Sequence, residues 1–300
     1  MKILVFGSNG FIGRTVVKTL TPEYEVYKGD RSSDGGANSF VVDLLDQASI
    51  ISILDSVKPE VIINCAGTVE NTEKALSINP IITLNILQSV QLKHLSVKKI
   101  IICGSAGEYG IVENEGPVSE ETPLMGTSFY ARSKVLESSA ALAFAGTTNL
   151  PVIVARIFNP IGVGMHPRFL LPNLIGQVRE IKSGKRKTVE LSRLDAKRDY
   201  INVLDIAEAI KLLIESDNTS GVYNVGSGQP ITNQQLLNGI FEQQGVPEDK
   251  YTLSETCSSP EPNYAVDADI SKITKEVGWV PKYDIQTTIK QIAEELNTKE

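Results

Sequence analysis

Short apolar runs alternate with longer amphipathic segments along the first 160 residues of the chain. Continuous apolar runs are typical of strands that are buried on both faces of a parallel sheet, and the segments between them predict helices. The predicted strands are 2–6, 24–27, 39–42, 61–64, 99–103 and 151–158, and the predicted helices are 11–20, 48–57, 72–94 and 127–146. Right-handed crossovers then give an α/β fold, a doubly wound parallel sheet of the Rossmann type.

The second half of the chain has a different pattern. After residue 160 proline and glycine become frequent and the alternation weakens. We therefore predict a dinucleotide-binding domain over residues 1–160 and a smaller, mixed α/β substrate-binding domain over residues 161–300. A helical pattern followed by an apolar run indicates that the chain rejoins the first sheet at about 203–226, and a last helix is predicted at 285–296.

Composition and charge exclude several classes of partner. The formal net charge is −7, so no nucleic-acid partner is expected. No apolar run approaches the roughly 18–20 residues that cross a bilayer, and the start of the chain lacks the pattern of a signal peptide. Cys65, Cys103 and Cys257 have no metal-ligand spacing, so no metal site is expected. We expect a cytoplasmic protein without a membrane partner.

Three glycines, Gly7, Gly10 and Gly13, follow the first predicted strand and open the first helix. The first allows a tight turn, the second lets backbone N–H groups approach a pyrophosphate, and the third lets the helix lie close to the strand. The residues predicted to bind the dinucleotide here are Gly7, Ser8, Asn9, Gly10, Phe11, Ile12 and Gly13.

Asp30 ends the second predicted strand, where an acidic side chain can bind a ribose 2′-hydroxyl of NAD. Arg31 follows directly, and its guanidinium could instead pair with the 2′-phosphate of NADP. The two neighbouring side chains leave the choice between NAD and NADP open.

Tyr130 and Lys134 lie four residues apart on a predicted helix and therefore share one face. A nearby ammonium favours the phenolate, which suits a tyrosine for general acid–base catalysis. Tyr24 and Lys28 have the same spacing but lie in an alternating, strand-like run, where four residues separate the side chains by roughly 13 Å. Only the pair on the helix is predicted to act as a unit.

These motifs resemble those of the extended short-chain dehydrogenase/reductases, also called the NAD-dependent epimerase/dehydratase family, nearly from end to end. The resemblance implies that Asp43 and Leu44 contact adenine, and that Cys65, Ala66 and Gly67 lie beside the cofactor. Further matches are Asn64, Asn79, Thr83 and Asn85, with Pro80 where the family has valine.

The catalytic residues implied by the resemblance are Ser105, Tyr130 and Lys134. Ser105 would hold the substrate oxygen, the tyrosine and lysine would also contact the cofactor, and NAD or NADP would carry the hydride. Each residue also has a purely structural interpretation: Ser105 as the cap of a strand end, and the other two as an amphipathic surface pair.

The second half of the chain resembles enzymes that bind a nucleotide sugar. Asn159, in RIFNPIG, and Arg198, in LDAKRDY, match residues that lie near the substrate phosphates, and Ala106 is expected to face the substrate. The structural interpretation of Arg198 is a salt bridge between domains. Val163 stands where proline is usual, and residues 258–269 lack the arginine often found there. The resemblance also implies a homodimer formed through helices 72–94 and 127–146.

The reaction type is predicted from the residues that follow Ser105. Dehydratases of this family carry an acid two residues after the serine or threonine, but this chain has Ala106 and Gly107, and Glu108 comes one residue too late. We therefore predict an NAD(P)H-dependent nucleotide-sugar 4-ketoreductase, similar to GDP-4-keto-6-deoxymannose reductases. The alternatives are a C4-epimerase that retains its NAD and, from a different class, a non-catalytic NAD(P)-binding regulator.

Overall fold

The computed structural model describes residues 1–112, 116–191, 193–217, 219–247, 252–255 and 266–298. Its strands are β1 (Lys2–Phe6), β2 (Glu25–Asp30), β3 (Ser39–Val41), β4 (Val61–Asn64), β5 (Lys99–Ser105), β6 (Val152–Ile157), β7 (Asn159–Ile161), β8 (Thr188–Leu191), β9 (Lys197–Arg198), β10 (Tyr200–Asn202), β11 (Gly221–Val225), β12 (Ile231–Thr232) and β13 (Thr252–Glu255). Its α-helices are α1 (Phe11–Leu20), α2 (Gln47–Val57), α3 (Ala75–Leu92), α4 (Phe129–Thr148), α5 (Leu170–Lys182), α6 (Val203–Glu215), α7 (Asn233–Gln244), α8 (Ser271–Val277) and α9 (Ile285–Thr298).

Seven parallel strands form the main sheet in the order β11-β6-β5-β4-β1-β2-β3. β1 lies between β2 and β4, so the chain reverses its direction of winding there. In such sheets the crevice outside the carboxyl ends of the strands at the reversal is where a ligand binds. The predicted Rossmann fold is confirmed, and β11 extends the sheet at the edge next to β6.

Neighbouring residues of β1 point to opposite faces of the sheet. Ile3 and Val5 pack in one apolar cluster with α1 and α6, whereas Leu4 and Phe6 pack in a second cluster with α2 and α3. All four side chains are fully buried. Because both faces are covered, the strand reads as a continuous apolar run rather than an alternating one, as the sequence predicted.

The helix that carries Tyr130 begins and ends later than predicted. The Ser128 side chain accepts a hydrogen bond from the Ala131 nitrogen (3.1 Å), which makes Ser128 the N-cap of α4. The helix continues through Gly146, and it ends at Asn149, which has φ 57°. The predicted end at residue 146 was too early: Asn149, which like glycine tolerates the left-handed conformation, ends the helix.

The second half of the chain builds a third apolar cluster from α5, α7, α9 and β8. Small sheets of two strands join β7 with β10, β9 with β12, and β8 with β13. The division into domains at residue 160 stays a prediction. Within the ranges that the structure describes, no helix is long and apolar enough to cross a membrane.

Candidate active site

The turn between β1 and α1 has no room for side chains at two of its glycines. Gly7 has φ 71°, and a Cβ placed on it would lie 2.6 Å from the Ala66 nitrogen. A Cβ on Gly13 would lie 2.1 Å from the carbonyl oxygen of Gly7. The loop, the helix and the segment after β4 therefore approach each other backbone to backbone, as the sequence predicted.

The N-terminus of α1 faces the crevice with open amide groups. Gly10 is the N-cap, and it offers no side chain to accept hydrogen bonds from the first turn of the helix. Ser8 is buried, Phe11 and Ile12 are half-buried, and Asn9 is exposed. Such an N-terminus suits the pyrophosphate of a dinucleotide, so the residues present fit NAD or NADP.

Asp30 ends β2 beside this turn. One oxygen of its carboxylate accepts a hydrogen bond from the Asn9 nitrogen (2.9 Å), and the other accepts one from the Arg31 nitrogen (2.7 Å). The Asn9 side chain donates to the carbonyl oxygen of Ser32 (2.8 Å). The carboxylate is thus held against the glycine turn while the Arg31 side chain is exposed. Both predicted determinants of cofactor choice lie at the same place.

The two predicted cofactor segments that follow β3 and β4 are both anchored by asparagines of α3. Asp43 is exposed and Leu44 is buried, and the Asn85 side chain donates to the carbonyl oxygen of Leu44 (3.0 Å). Asn79 accepts a hydrogen bond from the Thr68 nitrogen (2.8 Å), and a Cβ on Gly67 would lie 2.9 Å from its side-chain oxygen. Cys65 and Ala66 precede that glycine and are half-buried.

Ser105 and Tyr130 face each other across Gly107. A Cβ placed on Gly107 would lie 3.3 Å from the Ser105 Oγ and 3.9 Å from Cε1 of the Tyr130 ring. The Ser105 Oγ accepts a hydrogen bond from the Gly107 nitrogen (3.1 Å), so the serine also caps the turn after β5. Its hydroxyl proton remains for donation to a ligand.

Lys134 lies one turn after Tyr130 on α4, and its ammonium is buried. The Lys134 Nζ donates to the carbonyl oxygen of Cys103 (2.7 Å) and to the carboxylate of Glu137. Burial alone would lower the pKa of Lys134, but the negative charge of Glu137 and a smaller contribution from Tyr130 raise it above its usual value. Glu137 was not among the predicted site residues.

The other Tyr-x-x-x-Lys spacing is separated in the structure, as predicted. The Tyr24 hydroxyl donates to Glu215 (2.5 Å), and Lys28 pairs with Asp34 (2.5 Å). The two side chains therefore have different partners on different parts of the surface.

A cavity of about 330 Å³ is lined by Tyr130, one of the three predicted catalytic residues. Four residues predicted to contact the substrate or the cofactor line it: Ala106, Tyr130, Asn159 and Arg198. Other lining residues were not among the predicted site residues: Thr127 and Ser128 directly precede α4, and Val69, Asn71 and Val266 lie in loops without a motif. The Asn71 side chain accepts a hydrogen bond from the Tyr130 nitrogen (3.4 Å), which connects this loop to α4.

Asp199 holds the two predicted substrate residues in place. Its carbonyl oxygen accepts hydrogen bonds from the nitrogen (3.1 Å) and the side chain (2.8 Å) of Asn159, and its neighbour Arg198 lines the cavity. Burial raises the pKa of the Asp199 carboxyl, and hydrogen bonds from neighbouring loops oppose that shift. The donors are the Ser227 nitrogen and Oγ, the Gly228 nitrogen and the Ala268 nitrogen.

Glu108 points away from the cavity and is fully buried. One of its oxygens accepts a hydrogen bond from the Ser105 nitrogen (2.8 Å), and the other accepts one from Arg156 Nε (2.9 Å). Burial raises the pKa of this carboxyl even though Arg156 opposes the shift. Glu108, which comes one residue too late in the sequence, therefore directs its carboxylate at Ser105 and Arg156 and does not line the cavity. Most of the segment that lacks an arginine, residues 258–269, lies outside the described residues.

Comparisons with known proteins agree with this geometry. The family model for GDP-mannose 4,6-dehydratases matches residues 4–292. The chain belongs to this family of extended short-chain dehydrogenase/reductases.

Two curated relatives and one solved structure of this family cover most of the chain. GDP-6-deoxy-D-talose 4-dehydrogenase of Aggregatibacter actinomycetemcomitans is 29% identical over 81% of this chain and 80% of its own length. UDP-glucose 4-epimerase of Bacillus subtilis (strain 168) is 27% identical over 95% of this chain and 94% of its own length. RMD from Pseudomonas aeruginosa, solved with NADPH, has a TM-score of 0.87 and 25% identity over 100% of this chain and 99% of that one.

We predict that Gly13→Ala lowers the affinity for NADH or NADPH by about tenfold or more, because the new methyl group would displace the Gly7 backbone, and overpacking of this kind costs about 1–3 kcal/mol. Fluorescence titration of the reduced cofactor measures the affinity.

The matched control is Gly146→Ala, which adds a methyl group to α4 with no neighbour within 4 Å. It should leave the affinity unchanged and stabilise the fold by about 0.5–1 kcal/mol. Wild-type affinity in Gly13→Ala would contradict the assignment of the cofactor site.

Proposed function

We propose that the chain is an NAD(P)H-dependent 4-ketoreductase of a nucleotide sugar. Family membership makes the chain an NAD(P)-dependent enzyme of nucleotide-sugar metabolism. The finer assignment rests on one observation: among the residues that the structure describes, none of those that line the cavity next to Ser105 carries a carboxylate.

Elimination of water from a sugar needs an acid and a base beside the substrate. Ala106 and Gly107 occupy the wall where such groups would lie. Glu108, the nearest carboxylate in sequence, is bound to the Ser105 nitrogen and to Arg156 behind that wall. These contacts favour a reaction that needs only hydride and proton transfer at a carbonyl group.

The residues of the chain can carry out such a reduction with one role each. Ser105 donates a hydrogen bond to the carbonyl oxygen and orients it. Tyr130 donates a proton to that oxygen as it becomes a hydroxyl, and the charge of Lys134 stabilises the phenolate that remains. A bound NADH or NADPH supplies the hydride. Asn159 and Arg198 also line the cavity, where they suit the phosphates of a nucleotide.

One relative supports redox chemistry at the sugar C4 position, and one solved structure supports a reduced cofactor. The Aggregatibacter relative is a 4-dehydrogenase, which catalyses the same type of reaction in the opposite direction. The RMD structure contains NADPH, the form of cofactor that a reductase uses. The base and the sugar of this chain's own substrate stay open.

The runner-up function is a C4-epimerase, and the Bacillus relative favours it. An epimerase uses the same serine, tyrosine and lysine but keeps its NAD and returns the hydride to the opposite face of the sugar. A non-catalytic regulator is the third candidate, and the complete set of Ser105, Tyr130 and Lys134 counts against it.

We also propose a homodimer formed through α3 and α4. Phe129 and Leu136 lie seven residues apart on the same face of α4 and are 42% and 50% exposed, and Ile81 on α3 is 42% exposed. Apolar side chains of this size, exposed together, are typical of a surface that is covered by a partner.

Reductase and epimerase are distinguished by what happens to the cofactor. We expect the purified protein to oxidise added NADH or NADPH in a one-to-one ratio with a 4-keto nucleotide sugar. In thermal-shift assays with GDP-, UDP-, dTDP- and CDP-sugars, we expect the sugars of one base to stabilise the protein more than the others. Stoichiometric NAD released from the denatured protein, together with interconversion of two C4 epimers, would establish the epimerase instead. Stabilisation by none of the sugars in the presence of cofactor would refute a nucleotide-sugar substrate.

We expect Tyr130→Phe to lower the turnover number by about 10²–10⁴-fold, because it removes the proton donor, and to leave cofactor affinity nearly intact. Steady-state kinetics and cofactor titration measure the two effects separately. Tyr24→Phe is the matched control, since Tyr24 has the same spacing to a lysine but bonds to Glu215. Equal turnover in the two variants would rule out the mechanism.

Leu136→Glu is expected to convert the dimer into a monomer in light scattering at micromolar concentration, because it would bury an unpaired charge in the interface. Val41→Glu is the control, since Val41 is more exposed (67%) but lies on the edge strand β3. A wild-type protein that is already monomeric would contradict the dimer.

A further inference from the structure

Tyr130, Lys134 and Glu137 follow one another at spacings of four and three residues on α4, and such residues share one face of a helix. The side chains of Lys134 and Glu137 form an ion pair that is almost completely buried, with 7% and 1% of their surfaces exposed. Tyr130, by contrast, reaches the wall of the cavity. The pair therefore lies behind the tyrosine, on the side away from the substrate.

Glu137 also begins a chain of hydrogen bonds toward the cofactor side of the site. The Thr83 hydroxyl donates to the second oxygen of Glu137 (2.7 Å) and accepts a hydrogen bond from the Asn64 side chain (3.0 Å). The side-chain oxygen of Asn64 accepts from the Ala66 nitrogen (3.0 Å). Thr83 and Asn64 are buried as well. The carboxylate is thus held in one position by two neighbours, Lys134 and Thr83.

A buried ammonium group needs such a partner to keep its proton. Removal from water disfavours the charged form of lysine, and a nearby carboxylate reverses that effect. Both contributions act on Lys134, and the carboxylate prevails, because the pKa of Lys134 is raised. The titratable and charged groups around Lys134 are Glu137 and Tyr130 on α4, Glu108 with its partner Arg156, and the thiols of Cys65 and Cys103.

Of these groups, Glu137 is the one in direct contact with the ammonium that can carry a full negative charge. Glu108 shares its own charge with Arg156, and burial raises the pKa of that carboxyl. Hydrogen bonding to Cys103 and burial likewise hold the Cys65 thiol in its neutral form, because they raise its pKa. Charge compensation for Lys134 therefore depends on one residue.

We propose that Glu137 is a positioning residue of the catalytic site, which keeps Lys134 protonated and fixes its ammonium group between Tyr130 and the carbonyl oxygen of Cys103. The proposal rests on the proposed function, because it assumes that the charge of Lys134 supports proton transfer by Tyr130. The hydrogen bonds through Thr83 and Asn64 connect the same carboxylate to the segment that flanks the cofactor. Lys134 and the cofactor segment would then be oriented by one buried network.

The test is Glu137→Gln, which keeps the size of the side chain and removes its charge. Lys134 then stays buried without a counterion, so it loses its proton at a lower pH. We expect the alkaline limb of the pH profile of kcat to move to lower pH by about 1–3 pH units. A residue with a merely structural role would lower kcat by the same factor at every pH.

The protonation of Lys134 can also be measured without turnover. In protein labelled with ¹³C-lysine, the Cε resonance of Lys134, assigned with the help of Lys134→Arg, should titrate at a lower pH in Glu137→Gln than in the wild type. Glu137→Asp keeps the charge on a shorter side chain, so its midpoint should lie between the two. Thr83→Val removes a hydrogen bond but no charge, and its midpoint should stay close to the wild-type value.

An unchanged Lys134 midpoint in Glu137→Gln would overturn the proposal, and so would an equal shift in Thr83→Val. If the Gln variant does not fold, Glu137→Met, which also lacks the charge, takes its place, and an unchanged Lys134 midpoint in that variant would overturn the proposal. The outcome is separable from that of the proposed function. Full turnover in Tyr130→Phe would refute the reaction mechanism, whereas the resonance titration would still report whether Glu137 sets the charge of Lys134.

Discussion

The site depends on backbone segments that approach each other more closely than any side chain allows. β1, α1 and the residues after β4 meet at Gly7 and Gly13, where an added Cβ would lie within 3 Å of a neighbouring backbone. That contact fixes the N-terminus of α1 over the point where the sheet reverses its winding. The other parts of the site lie on the elements that follow outward from this contact. β4 leads to Ala66, β5 leads to Ser105, and α4 packs against both α3 and β5.

Much of the fold was accessible from the sequence because burial on both faces leaves a strong signature. The central strands of the main sheet are apolar runs, and each predicted strand corresponds to an observed one with ends shifted by at most a few residues. The ends of α4 were less predictable, since Asn149 ends the helix and Gly146 does not. The small sheets of the second half escaped prediction, because strands as short as Lys197–Arg198 are too brief to show a periodic pattern.

The candidate site was likewise predictable from the sequence only in part. The glycine turn and the Tyr130–Lys134 pair are local patterns, so sequence spacing was sufficient to single them out. Glu137 was within reach of the same reasoning, as it lies on the same helical face, but no motif called attention to it. The roles of Asp199 and Arg156 depend on partners far away in the chain, such as Ser227 and Glu108. Contacts of this kind exist only once the chain has folded.

Gly107 has a consequence for how this scaffold can change its chemistry. Its φ is not in the left-handed region, so a side chain would cause no backbone strain there, and its Cβ would lie 3.3 Å from the Ser105 Oγ and 3.9 Å from the Tyr130 ring. In evolutionary terms, the difference between a family member that reduces a sugar and one that also removes water then depends partly on whether position 107 carries an acidic side chain. Glu108 is not available for the removal of water, because its two oxygens already accept hydrogen bonds from a backbone amide and an arginine. A dehydratase activity would then need an acidic side chain added at position 107, while the buried pair of Glu108 and Arg156 stays unchanged.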